Sequence, residues 1–200
     1  MILPRRLLPV ALLLLAPAWV RAQEPQDTTV RADTVAQADT AVQADTAAEA
    51  SQPMLVGTYT YVEKGSDNIK QAIDTAVKKV SWFIRTFARG RLEKTNPVYH
   101  TIDITRPDDN WSIVVDGRKP VIAPVNGDTV SWTREDGEKF QVAIHEVDAQ
   151  TLDEVFVASD GVRTNQFEWS PDGATMAMHV KIESPKLKEP LTYTLNYTRK

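Results

Sequence analysis

The sequence predicts a mainly β protein: a ten-stranded antiparallel up-and-down barrel with a helical insert between strands 1 and 2. Three observations carry that prediction. Only residues 67–90 show sustained helical periodicity. The stretches before and after them alternate apolar and polar residues at period two, with Val, Ile, Thr, Tyr, Phe and Trp prominent. Tight-turn pairs separate those stretches: Asp116-Gly117, Asn126-Gly127, Asp136-Gly137 and Asp160-Gly161. Short strands joined by such turns mean a sandwich or a barrel, and closure removes exposed sheet edges.

The first 53 residues lie outside that fold. Residues 1–22 read as a secretory signal peptide. Arg5 and Arg6 form its basic end, residues 7–16 its apolar run, and Val20-Arg21-Ala22 precede the expected cut. The run is short and Pro-punctuated for a membrane span. Residues 23–53 repeat Ala-Asp-Thr at Ala32, Ala38 and Ala44 and carry six acidic residues against Arg31 alone. Such a composition buries too little surface to offset chain entropy, so it reads as a disordered linker. Its Asp-Thr steps also resemble an O-glycosylation acceptor pattern of some exported bacterial proteins. The expected location is periplasmic or secreted. The chain has no Cys, so thiolate chemistry, Cys-based metal sites and disulfides are excluded, and an exported domain must be held by its core.

The folded domain is expected over residues 54–200. There 19 Lys and Arg stand against 21 Asp and Glu, a balance that offers no electrostatic case for nucleic acid. Residues 55–63 form the first strand, with Val56, Thr58 and Thr60 opposite Gly57, Tyr59 and Tyr61. In the helical stretch Ile69, Ile73, Val77, Val80, Ile84 and Phe87 fall within an arc of about 80°. Ser66 or Asp67 suits its N-cap and Gly90 its end. Strands follow at 98–105, 111–116, 121–125, 129–133, 139–147, 152–158, 162–169, 175–182 and 191–199. The segment 121–125 is Pro-flanked, which suits an edge or a gap in the sheet.

Gly57-Thr58-Tyr59 in strand one, the insert directly after it and the nine following strands ending in a Thr/Tyr/Arg-rich strand resemble the fatty-acid-binding-protein-like branch of the calycins, which also include lipocalins. The resemblance is topological and covers roughly residues 56–200. It implies a cavity for a hydrophobic ligand, fatty-acid-like or lipid-like, under a helical lid. Two departures stand out. An unbroken helix over 67–89 would be about 35 Å long at 1.5 Å per residue, so it breaks near Val80-Ser81 or lies partly outside the barrel. The family's Arg-x-Tyr carboxylate clamp appears reversed as Tyr197-Thr198-Arg199, with both side chains still on one face.

The expected ligand wall is Tyr59, His100, Ile113, Trp132, Met176, Met178, Tyr193, Tyr197 and Arg199. Tyr and Met suit adaptable apolar cavities. Trp82 stands opposite the apolar stripe beside Lys78, Arg85 and Arg89, a set that suits peripheral contact with a membrane. His100, His145 and His179 do not share one strand face, and Ala149 stands where a His-Glu-x-x-His motif needs its second His, so no metal is expected. No Gly-x-Ser-x-Gly elbow occurs. Ser170-Pro171-Asp172-Gly173 resembles a propeller hairpin signature, but no blade repeat accompanies it and it reads as a tight turn. No cofactor and no enzymatic activity are expected. Two function classes remain: an exported carrier of a small hydrophobic or amphipathic ligand, and a structural or interaction protein of the cell envelope with a filled barrel.

Overall fold

The structure, a computed structural model, describes residues 55–200. The expected signal peptide and linker lie outside the described residues. The chain from residue 55 folds as one ten-stranded antiparallel sheet. Its strands are β1 (Gly57–Val62), β2 (Thr101–Thr105), β3 (Asn110–Val115), β4 (Val121–Pro124) and β5 (Val130–Thr133), then β6 (Lys139–Asp148), β7 (Thr151–Ala158), β8 (Gly161–Trp169), β9 (Thr175–Glu183) and β10 (Leu191–Arg199). Two helices, α1 (Ile69–Val77) and α2 (Trp82–Thr95), lie between β1 and β2.

The sheet order is β4-β3-β2-β1-β10-β9-β8-β7-β6-β5. Every strand pairs with its chain neighbours except at one place, and β1 also pairs with β10, setting Tyr59 opposite Arg199 and Tyr61 opposite Tyr197. The exception is β4 with β5, which share no ladder, so the barrel is nearly closed. Pro120 and Pro124 flank or end β4 and cannot donate to a ladder, which explains why the gap falls there. Two side chains span it instead: Trp132 Nε1 donates to the Pro120 carbonyl at 2.9 Å and Lys119 Nζ to the Thr133 carbonyl at 2.9 Å.

Period-two alternation sends one face of each strand inward. Where β1 begins and β10 finishes, the interior is solid: Tyr59, Phe167, Trp169, Met176, Met178, Leu195 and Tyr197 are all buried. Tyr59 meets Trp169 edge-on with ring centroids 6.0 Å apart, and Phe167 lies 6.2 Å from Trp169. Gly57 fits this end because a Cβ there would come 2.8 Å from Arg199 Nε.

The helical insert is two helices interrupted across residues 78–81, the first of the two alternatives that its length left open. It departs from the sequence reading in three other ways. Asn68 is the N-cap, accepting from the Gln71 N–H at 3.1 Å. Ser66 and Asp67 serve β10 instead: Asn196 N–H donates to Ser66 Oγ at 2.8 Å and Thr194 N–H to Asp67 Oδ2 at 2.7 Å. Gly90 does not end the helix; α2 runs on to Thr95, and Asn96 Nδ2 takes the Leu92 carbonyl at 2.8 Å. The six-residue stripe also divides. Ile69, Ile73, Val77 and Val80 are buried, whereas Ile84 and Phe87 are exposed and no α2 residue is buried.

Candidate functional site

The half of the barrel nearest α2 is not filled. A cavity of about 450 Å³ opens there between the end of α2, the β3–β4 turn and the β5–β6 turn. Its apolar wall is Ile113, Val115, Val121, Trp132, Phe140 and Phe156. Three of these form one aromatic cluster: Trp132–Phe140 centroids are 6.0 Å apart, Trp132–Phe156 5.9 Å and Phe140–Phe156 5.8 Å. They meet because β5, β6 and β7 are neighbours and Trp132 pairs with Phe140 in register. The volume lies in the ordinary range for small-molecule sites.

The rim is charged. Arg91, Lys94, Arg118, Lys119, Arg134, Glu135, Asp136 and Glu138 surround the mouth. Several of these are paired with one another or with nearby acids. Arg91 reaches Asp160 at 2.8 Å, and Arg134 reaches Asp136 at 2.8 Å and also contacts Glu138. The hydrogen bond from Arg134 holds the Asp136 carboxyl down at about 2.

Inside, the wall carries a polar relay from adjacent strands. Glu154 on β7 pairs in register with Asn165 on β8, and Asn165 Nδ2 donates to Glu154 Oε2 at 2.8 Å. Arg163 Nε donates to Asn165 Oδ1 at 2.8 Å, and Arg163 Nη1 donates to Asn96 Oδ1 at 2.9 Å. Tyr193 O–H donates to the same Asn96 oxygen at 3.1 Å. The end of α2 is thereby tied to the interior of the barrel. Burial pushes the Glu154 carboxyl up to about 7, against the Asn165 hydrogen bond and the Arg163 charge, which both lower it. Burial likewise raises the phenols of Tyr193 and Tyr197, keeping both neutral.

No family model matches the chain, and no curated protein matches it. Solved structures do. A secretary abundant heat soluble (SAHS) protein from Ramazzottius varieornatus superposes with a TM-score of 0.53 at 10% identity, covering 74% of this chain and 96% of that one. A Schistosoma mansoni fatty acid binding protein in complex with arachidonic acid gives 0.48 at 17% identity, covering 75% and 98%. A zebrafish ileal bile acid-binding protein complexed with cholic acid gives 0.46 at 8% identity, covering 74% and 99%. The chain shares the barrel fold of the SAHS protein, and the likeness is one of fold alone.

In this barrel the residues singled out from sequence separate into groups. Ile113 and Trp132 line the cavity. Tyr59, Met176, Met178 and Tyr197 are buried in the solid end, away from it. Tyr193 is buried beside the cavity's polar relay through Asn96. His100 is exposed, its ring edge-on to Tyr61 at 6.1 Å. Arg199 is exposed at the opposite end of the barrel, where its guanidinium contacts the Val56 carbonyl and stands 5.7 Å from the Tyr59 ring centre. Trp82 projects from the first turn of α2, while Arg85 binds the carbonyls of Lys78 at 2.8 Å and Val80 at 3.1 Å and Arg89 pairs with Asp74 at 2.8 Å. Among the described residues no group of three or more His, Cys, Asp or Glu is placed to hold a metal ion.

Sequence reasoning missed Phe140, Glu154, Phe156, Arg163 and Asn165. A signal existed for three of them. Glu154 stands between Leu152 and Phe156 on the apolar face of β7, and Arg163 and Asn165 precede Phe167 and Trp169 on the apolar face of β8. A charge at an inward position of a half-buried strand marks either a mispaired register or a polar site.

Proposed function

We propose that this chain is a non-enzymatic carrier of a small hydrophobic or amphipathic ligand, fatty-acid-like or lipid-like, seated in the cavity beneath α2. The observation that carries the reading is the cavity itself: about 450 Å³ walled by six apolar side chains, with one buried polar relay at its inner surface. That is the composition of a site that takes an apolar body and orients a polar head. Export to the periplasm or the exterior is part of the proposal and rests on the leader-like residues 1–22. Peripheral contact of α2 with a membrane is also part of it and rests on Trp82 with Lys78, Arg85 and Arg89.

The test is native mass spectrometry of freshly purified protein, followed by displacement of a bound fluorescent fatty acid with unlabelled laurate. Co-purified lipid, or displacement at micromolar laurate, supports the carrier. A ligand-free mass together with no probe binding leaves the envelope interaction protein, a reading favoured by the solid packing of Tyr59, Trp169, Met176 and Tyr197.

A further inference from the structure

The carrier reading leaves the polar head of the ligand open, and the inference drawn now rests on that reading. Glu154 and Arg163 both line the cavity. Glu154 is only 2% exposed, yet just one of its two carboxyl oxygens, Oε2, has a hydrogen-bond donor among the described residues, the Asn165 amide. An ionised carboxyl has about four acceptor positions, and leaving them unfilled when buried is costly. Arg163 is also incompletely used. Its Nη1 is engaged by Asn96, but Nη2 has only the Tyr193 hydroxyl, at the long distance of 3.5 Å. The inner surface of the cavity therefore presents an acceptor and a donor side by side, held at a set spacing by Asn165.

A free fatty acid matches only half of this pair. Its carboxylate suits Arg163 but brings lone pairs and a like charge against Glu154, and like charges in a low-dielectric site repel strongly. Exposed cations at the mouth do not reverse this, because they are screened by solvent and several already face Asp136, Glu138 or Asp160. An uncharged head with hydroxyl groups beside an ester carbonyl matches both halves: its hydroxyls donate to Glu154 and its carbonyl accepts from Arg163. We propose that Glu154 and Arg163 together make this cavity selective for uncharged single-chain amphipaths with a hydroxyl-rich ester head, monoacylglycerols in chemical class, over free fatty acids.

The experiment displaces anilinonaphthalene sulfonate from the full chain with monolauroylglycerol and with laurate, each below its micelle concentration. It is run at pH 8, where Glu154 is mostly ionised. The expected result is that monolauroylglycerol competes at a concentration at least about tenfold lower than laurate, the scale of one charge-assisted hydrogen bond gained against one repulsion. Glu154→Gln keeps an acceptor for Asn165 and removes the charge, so it should cut that ratio at least about threefold, chiefly by tightening laurate. Laurate binding as tightly as monolauroylglycerol to the unaltered protein overturns the selectivity while leaving the carrier intact. A ratio unchanged by Glu154→Gln overturns the assignment to Glu154. Should that variant not fold, the ratio in the unaltered protein decides. Failure of both lipids to displace the probe defeats the carrier reading itself.

Discussion

At Glu154 the fold accepts a cost in stability, and the sign of that cost can be measured. Its carboxyl rises from an ordinary 4.5 to about 7 on folding because burial disfavours the charge. Below about pH 4.5 the group is protonated both folded and unfolded and contributes nothing. Between there and about pH 7 the folded chain holds a proton that the unfolded chain has released, so stability falls as pH rises, and the loss levels off above that window at about 3 kcal/mol. Asp136, held down at about 2 by Arg134, works with the opposite sign, but only as pH falls below about 4. The two windows are separate. Glu154→Gln should therefore match the unaltered protein near pH 4.5 and exceed it at pH 8 by about 2–3 kcal/mol. Urea unfolding at the two pH values reads this; parallel stabilities for the two proteins at both would show that Glu154 is not perturbed.

Among the elements, the helical insert shows how a correct periodicity can still misplace a surface. The six apolar positions of residues 69–87 fit one helical stripe, but the chain breaks at residues 78–81 and the stripe loses its common direction. Ser81 adopts φ −54°, ψ 136°, which ends one helix and starts the next. Arg85 supplies a reason the break is tolerated: its guanidinium satisfies two carbonyls, of Lys78 and Val80, that the interrupted helix leaves open. As a result α1 packs into the barrel while α2 turns Trp82, Phe83 and Phe87 outward, 80%, 68% and 74% exposed. Three neighbouring aromatics at that exposure, with Lys78 and Arg85 beside them, are what the proposed contact with an anionic lipid surface rests on. Vesicles containing phosphatidylserine should blue-shift the tryptophan fluorescence at low salt, and Trp82→Phe should abolish the shift even though Trp111, Trp132 and Trp169 remain in the folded domain. A shift of equal size in that variant, or none in the parent, removes α2 as the contact.

For the molecule as a whole, the strands, their number and the Pro-flanked weak point at 121–125 were legible in the sequence, because alternation and tight turns are local signals. Which interior positions would be hollow was not. Tyr59, Met176 and Tyr197 sit on inward faces like Ile113 and Trp132, and alternation alone cannot tell a filled rung from an open one; the registers and the seat of α2 decide it. The same registers locate the least secured part of the barrel. β4 and β5 each lack a ladder on the edge facing the gap, which is held by the Trp132–Pro120 and Lys119–Thr133 bonds. The cavity wall crosses that gap, with Val121 on one side and Trp132 on the other. If the proposed ligand fills this cavity, its binding and closure of the gap are coupled, since an occupant that touches both edges favours the state in which they are together. Hydrogen exchange should find the amides of residues 121–123 and 130–133 faster than those of β8 and β9 in the free protein. The tighter of laurate and monolauroylglycerol should slow the first group selectively. Trp132→Phe keeps an aromatic wall but deletes one bond across the gap, so exchange there should rise about fivefold, the worth of roughly one hydrogen bond, with β8 and β9 little changed. Uniform protection across all ten strands, or ligand protection spread evenly over them, would mean that the gap is as firmly shut as any paired seam and takes no part in admitting the ligand.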